Sequence, residues 1–397
     1  MKCRKLPNGK WECYEEGPRD PITNKRNAVR KQAKSKALAQ QKVKDALNEL
    51  TSGIDGRLAN QLPFRKVASE WLEVYSHSGV KNSTLRSRQS SINLLCRYIG
   101  DVPIGRVTHK IIQDILMDLF ANGASKSTLT HTKVTARFIF GHAVKQRLRP
   151  DNPVDHTIVP KRLRTVEDIE NNELQEKYFE RDELEVFLKG TRTHGLIFDE
   201  EWFYLLAFTG MRAGELCSLK WTDVNFEEKQ IRVTKTMDSP GAVKDYDLTP
   251  PKSVQSIRVV EIDDNVISML KRLKVAQMEN RLKYQASTKG YHDKKFIFCR
   301  PKTGYPYSAK FLYRRYLRLC KKAGITKLDG PHILRHTHVT MLTEAGVDLD
   351  TIMERVGHSD AKTTKNIYTH ITKKMKQNAP KQVKIHYGSI FDNYFEA

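Results

Sequence analysis

Four short stretches in the C-terminal half of the chain carry side chains able to act together on a phosphate. The first is Thr209-Gly210-Met211-Arg212-Ala213-Gly214-Glu215-Leu216. Here glycines bracket an arginine where a helix begins; Glu215, one turn on, can orient the guanidinium, and the helix terminus adds donors for an anion. The second is His332-Ile333-Leu334-Arg335-His336, just after Pro331. A spacing of three puts His332 and Arg335 on one helical face, and arginine can grip an anion through two N–H groups at once. The third is Gly357-His358-Ser359, and the fourth is Tyr368 within Asn366-Ile367-Tyr368-Thr369-His370. Each alone has an ordinary explanation: a surface ion pair, a basic helix start, a core tyrosine. Their ordered occurrence in one stretch of some 160 residues is improbable by chance.

The elements that must position these residues are readable too. Trp202–Phe208 is an apolar helix that breaks at Thr209-Gly210. Gln230–Thr234 and Ser256–Ile262 read as strands around a long turn, and helices are expected at about 264–284, 308–322, 331–345 and 350–356. Upstream, residues 61–165 read as four helices. Phe64, Val67, Trp71 and Tyr75 line one face, Ile92, Leu95 and Ile99 a second, Ile112, Ile115, Leu116 and Leu119 a third, and the fourth runs from about Ser127 to Arg147. Residues 1–60 begin with a hairpin signal at Asn8-Gly9, a second turn cluster at Asp20–Asn24, and a helix through Ala39, Val43, Ala46, Leu47 and Leu50. The expected fold is therefore multidomain: a small α+β N-terminal unit (1–60), an all-α four-helix unit (61–165), and a mainly α domain with a small antiparallel sheet (166–397). The acidic stretch Glu167–Glu176 reads as the linker before the third unit.

Charge narrows the class of partner. The 397 residues carry 69 Lys+Arg against 46 Asp+Glu, a formal +23. Residues 1–60 hold 14 basic and 7 acidic side chains, net +7, and residues 61–165 hold 17 and 7, net +10. Two small basic units thus precede a larger, nearly balanced one, which points to a polyanion such as nucleic acid. Arg86, Arg88, Lys126, Lys133 and Arg137, among Ser/Thr-rich helix starts, are candidate phosphate contacts, with a solvated helix face as the alternative. Apolar runs are too short to span a bilayer, and the start of the chain lacks a secretory signal core. Cys3, Cys13, Cys96, Cys217, Cys299 and Cys320 form no Cys-x-x-Cys pair, so they read as reduced cytosolic thiols rather than a disulfide framework or a zinc site.

The ordered set resembles the tyrosine recombinase (phage integrase) family. Thr209-Gly210-Met211-Arg212 with Glu215, His332 with Arg335, Gly357 with His358, and Tyr368 match its motifs across the third unit. The resemblance implies that Tyr368 is the nucleophile forming a phosphotyrosine, with Arg212, Arg335, His332 and His358 around the phosphate. The family's lysine lies in a turn between strands and fits Lys252 in Pro251-Lys252-Ser253, with Lys244 as second choice. It further implies a helical core-binding domain at 61–165 and an arm-binding domain at 1–60, although a third strand is only weakly signalled there. Expected partners are double-stranded DNA attachment sites, three further copies in a tetramer on DNA, an excision factor and a host DNA-bending protein. Neither metal nor ATP is implied, and the expected location is the bacterial cytoplasm, associated with the nucleoid. The stretch after Tyr368, with Ile385-His386-Tyr387 and Ile390-Phe391, could pack on a neighbouring subunit or locally. A type IB topoisomerase and a non-enzymatic DNA-binding regulator are the competing readings.

Overall fold

The computed structural model describes residues 1–19, 26–52, 54–162, 178–251, 256–357 and 364–372. The protein is mostly helical and multidomain, with small antiparallel sheets, and divides into two compact units, Met1–Arg164 and Thr165–Ala397. The expected turn at Asp20–Asn24 and the acidic linker fall wholly outside the described residues, as does the chain after residue 372.

In the first unit, β1 (Lys2–Lys5), β2 (Trp11–Arg19) and β3 (Arg26–Ala33) form an antiparallel sheet in the order β1-β2-β3. The Asn8-Gly9 turn joins β1 to β2, with Gly9 at φ +75°. The third strand, weakly signalled in the sequence, is a full eight residues. Its side chains are largely basic and polar because only Val29 and Ala33 face inward, against Cys13 of the sheet and Ala39 and Val43 of α1 (Lys36–Ser52). The reading of six reduced thiols is corrected: Cys3 and Cys13 are joined in a disulfide, while Cys96, Cys217, Cys299 and Cys320 are free. Ten residues of separation hide the pair in the sequence, but the hairpin register sets Cys3 directly opposite Cys13.

A short α2 (Gly56–Ala59) precedes the four expected helices, α3 (Phe64–Ser76), α4 (Asn82–Ile99), α5 (His109–Ala121) and α6 (Lys126–Lys145). They close over Phe64, Val67, Ile92, Leu95, Ile112, Leu116, Ile139 and Phe140. The Thr108 and Ser125 hydroxyls cap α5 and α6 by accepting from Ile111 N–H and Thr128 N–H. Arg149, buried beside Phe140, donates to the carbonyls of Ile104 and Val107 at 2.7 Å each.

The second unit is built on α7 (Arg181–His194) and α8 (Asp199–Thr209), whose Phe187, Trp202 and Phe203 pack in the centre of the core. After α9 (Ala213–Ser218) come β4 (Val224–Asn225), β5 (Gln230–Val233), the hairpin β6 (Thr236–Asp238) and β7 (Asp247–Thr249), and β8 (Arg258–Glu261). Strands pair antiparallel in the order β4-β5-β8, so that Val224, Ile231 and Val260 form one buried row. The helices α10 (Asp264–Gln285), α11 (Ala309–Lys322), α12 (His332–Glu344) and α13 (Leu349–Val356) follow at the expected places, and α14 occupies 364–372. No helix among the described residues is long and apolar enough to cross a membrane.

The N-terminal sheet buries few apolar side chains, so its cross-link should matter. A ten-residue loop closed by a disulfide is worth about 2–3 kcal/mol. Replacing Cys3 by Ser is therefore expected to raise hydrogen exchange across β1 to β3 and leave α3 to α6 unchanged. Equal protection in both forms would show that the bond is dispensable.

Candidate active site

Arg212 is the N-cap residue of α9, and its guanidinium turns back along the helix. Nη1 donates to Glu215 Oε1 (2.8 Å) and the Arg212 backbone N–H donates to Oε2 (3.0 Å), so one carboxylate holds the arginine by side chain and main chain. Glu215 is 1% exposed. A second cation reaches it from β8, where Arg258 Nη2 donates to Oε2 at 3.0 Å. Burial by itself raises the Glu215 pKa, but the charge and hydrogen bond of Arg258, then those of Arg212, outweigh it and hold the carboxyl below its ordinary value.

Arg335 lies on α12, fully buried, and donates through Nη1 to Gly210 O (2.7 Å) and through Nη2 to Val356 O. Burial, then the neighbouring charge of Arg212, lowers its pKa to about 9, yet it stays protonated at neutral pH. Arg212 Nη2 donates to Gly357 O at 3.3 Å. The two arginines thus share the turns that end α8 and α13. Both turns require glycine. Gly210 has φ +62°, and a Cβ there would lie 2.7 Å from the His338 ring; Gly357 has φ +65°, with a would-be Cβ 3.2 Å from Ser256 Cα.

His338, one turn beyond Arg335 and buried, supports the Gly210 turn. Its Nδ1 lies 2.9 Å from Ala207 O and its Nε2 faces Arg355 Nε at 3.2 Å. Arginine can only donate, so Nε2 accepts and the proton sits on Nδ1. Burial, then the Arg355 charge, pushes this pKa down to about 3.

His332 begins α12, open to solvent on one side and edge-on to His336 at 4.8 Å between ring centroids. Partial desolvation of the ring, then the positive charges of His336, Arg335 and Arg212, lower its pKa, so it is neutral at pH 7. Tyr368 sits half-buried on α14 against the cluster of Val339, Ile352 and Val356 from α12 and α13. Lys252 and His358 lie outside the described residues. The chain flanking them is described, and Ser256 Oγ donates to Gly357 O at 3.3 Å. Ser256 and Gly357, which bound those stretches in the sequence, are thus in contact, and Gly357 O is also the acceptor for Arg212 Nη2. Lys244 lies exposed between β6 and β7.

In the first unit Lys126 and Arg86 are exposed near the starts of α6 and α4. Arg88, Lys133 and Arg137 make the following contacts within the protein. Arg88 donates to Thr135 Oγ1 (3.1 Å) and lies over the Phe138 ring, Lys133 donates to Thr157 O, and Arg137 pairs with Asp155 (3.0 Å). Among the described residues no cluster of three or more His, Cys, Asp or Glu could hold a metal. Sequence reasoning missed Arg258, His338 and Arg355. Strand alternation was a usable signal for the first, because Val260 and Ile262 facing inward puts position 258 on the same face.

The comparisons with known proteins show the class to which the chain belongs. Residues 177–375 match the model of the phage integrase family, and residues 63–120 match that of the N-terminal SAM-like domain of phage integrases. The chain is 32% identical to the prophage ps2 probable integrase of Lactococcus lactis subsp. lactis, over 95% of this chain and 98% of that one. Its fold is similar to that of the Tn1549 transposon integrase in complex with transposon right end DNA, with a TM-score of 0.60 at 22% identity, covering 77% of this chain and 95% of that chain. It is also similar to the lambda integrase tetramer bound to a Holliday junction, with a TM-score of 0.55 at 19% identity, covering 92% and 94%. The chain belongs to the phage integrase family, the tyrosine recombinases.

His338 generates a pH test of the support behind the site. An unfolded histidine titrates near 6.5, so below about pH 6 the unfolded chain binds a proton that the folded imidazole refuses. Stability should fall as the pH drops from about 6.5 towards 3, by roughly 1.4 kcal/mol per pH unit for this one group. Urea unfolding at pH 5 and pH 7 measures it. A His338→Asn variant should lose less on acidification than the unmodified chain, and an identical loss would reject the assignment.

Proposed function

We propose that the chain is a site-specific DNA recombinase that cuts and rejoins strands through a 3′-phosphotyrosine, integrating and excising a phage or other mobile element. The observation that carries the residue assignment is the bonded set Arg212–Glu215–Arg258 with Arg335, gathered at the ends of α8 and α13 in the unit that holds Tyr368. In this reading the Tyr368 phenolic oxygen attacks the phosphorus, a P–O bond to tyrosine forms, and the bond to the 5′ oxygen breaks. Lys252 gives the departing oxygen its proton. The phosphotyrosine keeps a phosphoester for rejoining, when a 5′ hydroxyl attacks and tyrosine leaves. Arg212, which keeps about a third of its side chain exposed, meets the non-bridging oxygens first. Arg335 is enclosed, so a phosphate reaches it only once its cover opens on DNA. Each such preorganised donor contributes on the order of 3 kcal/mol to the transition state. His332, neutral at pH 7, and His358 donate hydrogen bonds to the phosphate.

The same reading assigns residues 1–60 to arm-type sites, 61–165 to the core site and 166–397 to catalysis. Arg86, Arg88, Lys126, Lys133 and Arg137 are the phosphate contacts of the helical unit in this reading, and Arg88, Lys133 and Arg137 also hold its helices. Strand exchange needs four active sites, hence a tetramer on paired attachment sites, with an excision factor and a host DNA-bending protein setting direction. The bacterial cytoplasm and nucleoid are the place of action.

A suicide duplex built from the DNA adjoining the gene and nicked near the cleavage position tests this. The unmodified chain should become covalently attached, and Tyr368→Phe should bind the duplex without attachment. Undiminished attachment in Tyr368→Phe would reject the nucleophile, and no attachment by the unmodified chain would reject strand cleavage itself.

A further inference from the structure

We propose that Arg258 is a positioning residue for strand cleavage: from the start of β8 it fixes the Glu215 carboxylate and thereby sets the direction in which Arg212 presents its guanidinium. The inference rests on reading the Arg212 centre as the place of phosphoryl transfer.

Arg258 is the inward residue of a strand whose neighbours Ile257 and Val259 are 45% and 52% exposed. An arginine buried between two outward apolar residues reverses the usual polarity of a strand face, and such burial costs free energy unless the charge is fully bonded. Here it is well bonded, and each bond ends on a different part of the site. Nε donates to Arg355 O (2.8 Å), Nη1 to Ser256 O (3.2 Å) and Nη2 to Glu215 Oε2 (3.0 Å). Arg355 leads through Gly357 to His358, Ser256 closes the segment that carries Lys252, and Glu215 orients Arg212. With its side chain 4% exposed, Arg258 does not reach a DNA backbone. It acts through the groups it holds.

The carboxylate is the sensitive link. Its Oε1 accepts from Arg212 Nη1, while Oε2 accepts from Arg258 and from the Arg212 backbone N–H. The charged and titratable groups that bear on Glu215 are Arg212 at its own helix start, Arg258 from β8, and Arg335 and His332 from α12. Burial works against ionisation, and Arg258 is the largest influence opposing it. Without Arg258, Glu215 takes up a proton more readily and loses an acceptor bond to Arg212, which swings free.

The test uses the full chain, the nicked suicide duplex described above, and the variants Arg258→Met, Arg258→Lys, Glu215→Gln and the Arg258→Met/Glu215→Gln pair. Arg258→Met should slow covalent attachment about 100-fold at pH 7 while duplex affinity stays within about twofold. Its rate should recover as the pH is raised, an acidic limb the unmodified chain lacks. Arg258→Lys keeps the charge but not the planar fork, and should lose about tenfold. In the Glu215→Gln background, Arg258→Met should change the rate by less than about twofold, because the link it acts through is already gone. Independent multiplicative losses, an unshifted pH profile in both Arg258 variants, or unmodified rates would each overturn the proposal. If Arg258→Met fails to fold, Arg258→Lys and Glu215→Gln decide by the same criteria. A DNA-free arm judges the inference even if no covalent complex forms and the functional reading fails. The melting-temperature deficit of the Arg258 variants should be larger at about pH 7.5 than at about pH 5, because without Arg258 burial leaves Glu215 readier to take up a proton as the pH falls, and should vanish beside Glu215→Gln. A deficit independent of both would show that Arg258 is merely a packing residue.

Discussion

The second unit has to hold several guanidinium groups close together, two of them buried, with one carboxylate among them. Arg212 and Arg258 share Glu215, and Arg335 lies close enough for its field and theirs to interact. Like charges at such distances repel, more strongly as solvent is removed. What makes the cluster tolerable is the set of main-chain oxygens turned toward it, from Gly210, Ser256, Arg355, Val356 and Gly357. The carbonyl dipoles that offset the arginine charges are in place in the fold itself.

Those dipoles depend on how helices stop. The α8 and α13 helices both end in left-handed glycines, Gly210 and Gly357. Each turn aims a carbonyl at an arginine from another helix, and each is packed too closely for a side chain. Behind Gly210, the neutral His338 spans from Ala207 to Arg355, so the two turns are braced through one imidazole. Tyr368 follows the second turn on α14, seated against the Val339, Ile352 and Val356 cluster. The apolar core around Trp202 and Phe203 fixes α8, and with it the first turn.

Much of this is legible in the sequence where chemistry is local. Arg212 with Glu215, and His332 with Arg335, declare themselves because helical spacing joins residues that are neighbours in the chain. Helix positions in the second unit follow from apolar periodicity and caps such as Asp263, Ser308 and Asp348. Alternation along the strand signals that Arg258 faces inward, but what it binds was not legible, since its partners at Glu215 and Arg355 are 43 and 97 residues away. His338 looked like one more basic residue on a histidine-rich helix. The third N-terminal strand was obscured by its charge, because a sheet covered on one side by a single helix needs few apolar residues. The Cys3–Cys13 bond was hidden for a related reason, since register rather than spacing makes the pair.

The cluster's reliance on carbonyl oxygens has a corollary. A bond that ends on backbone is placed by the path of the chain, so the oxygens of Val356, Ser256 and Arg355 meet the arginines only where the turns put them. Shifting the count of residues in either turn breaks that placement, since one inserted peptide carries the oxygen away. Length, and not spelling alone, is thus constrained at these two corners.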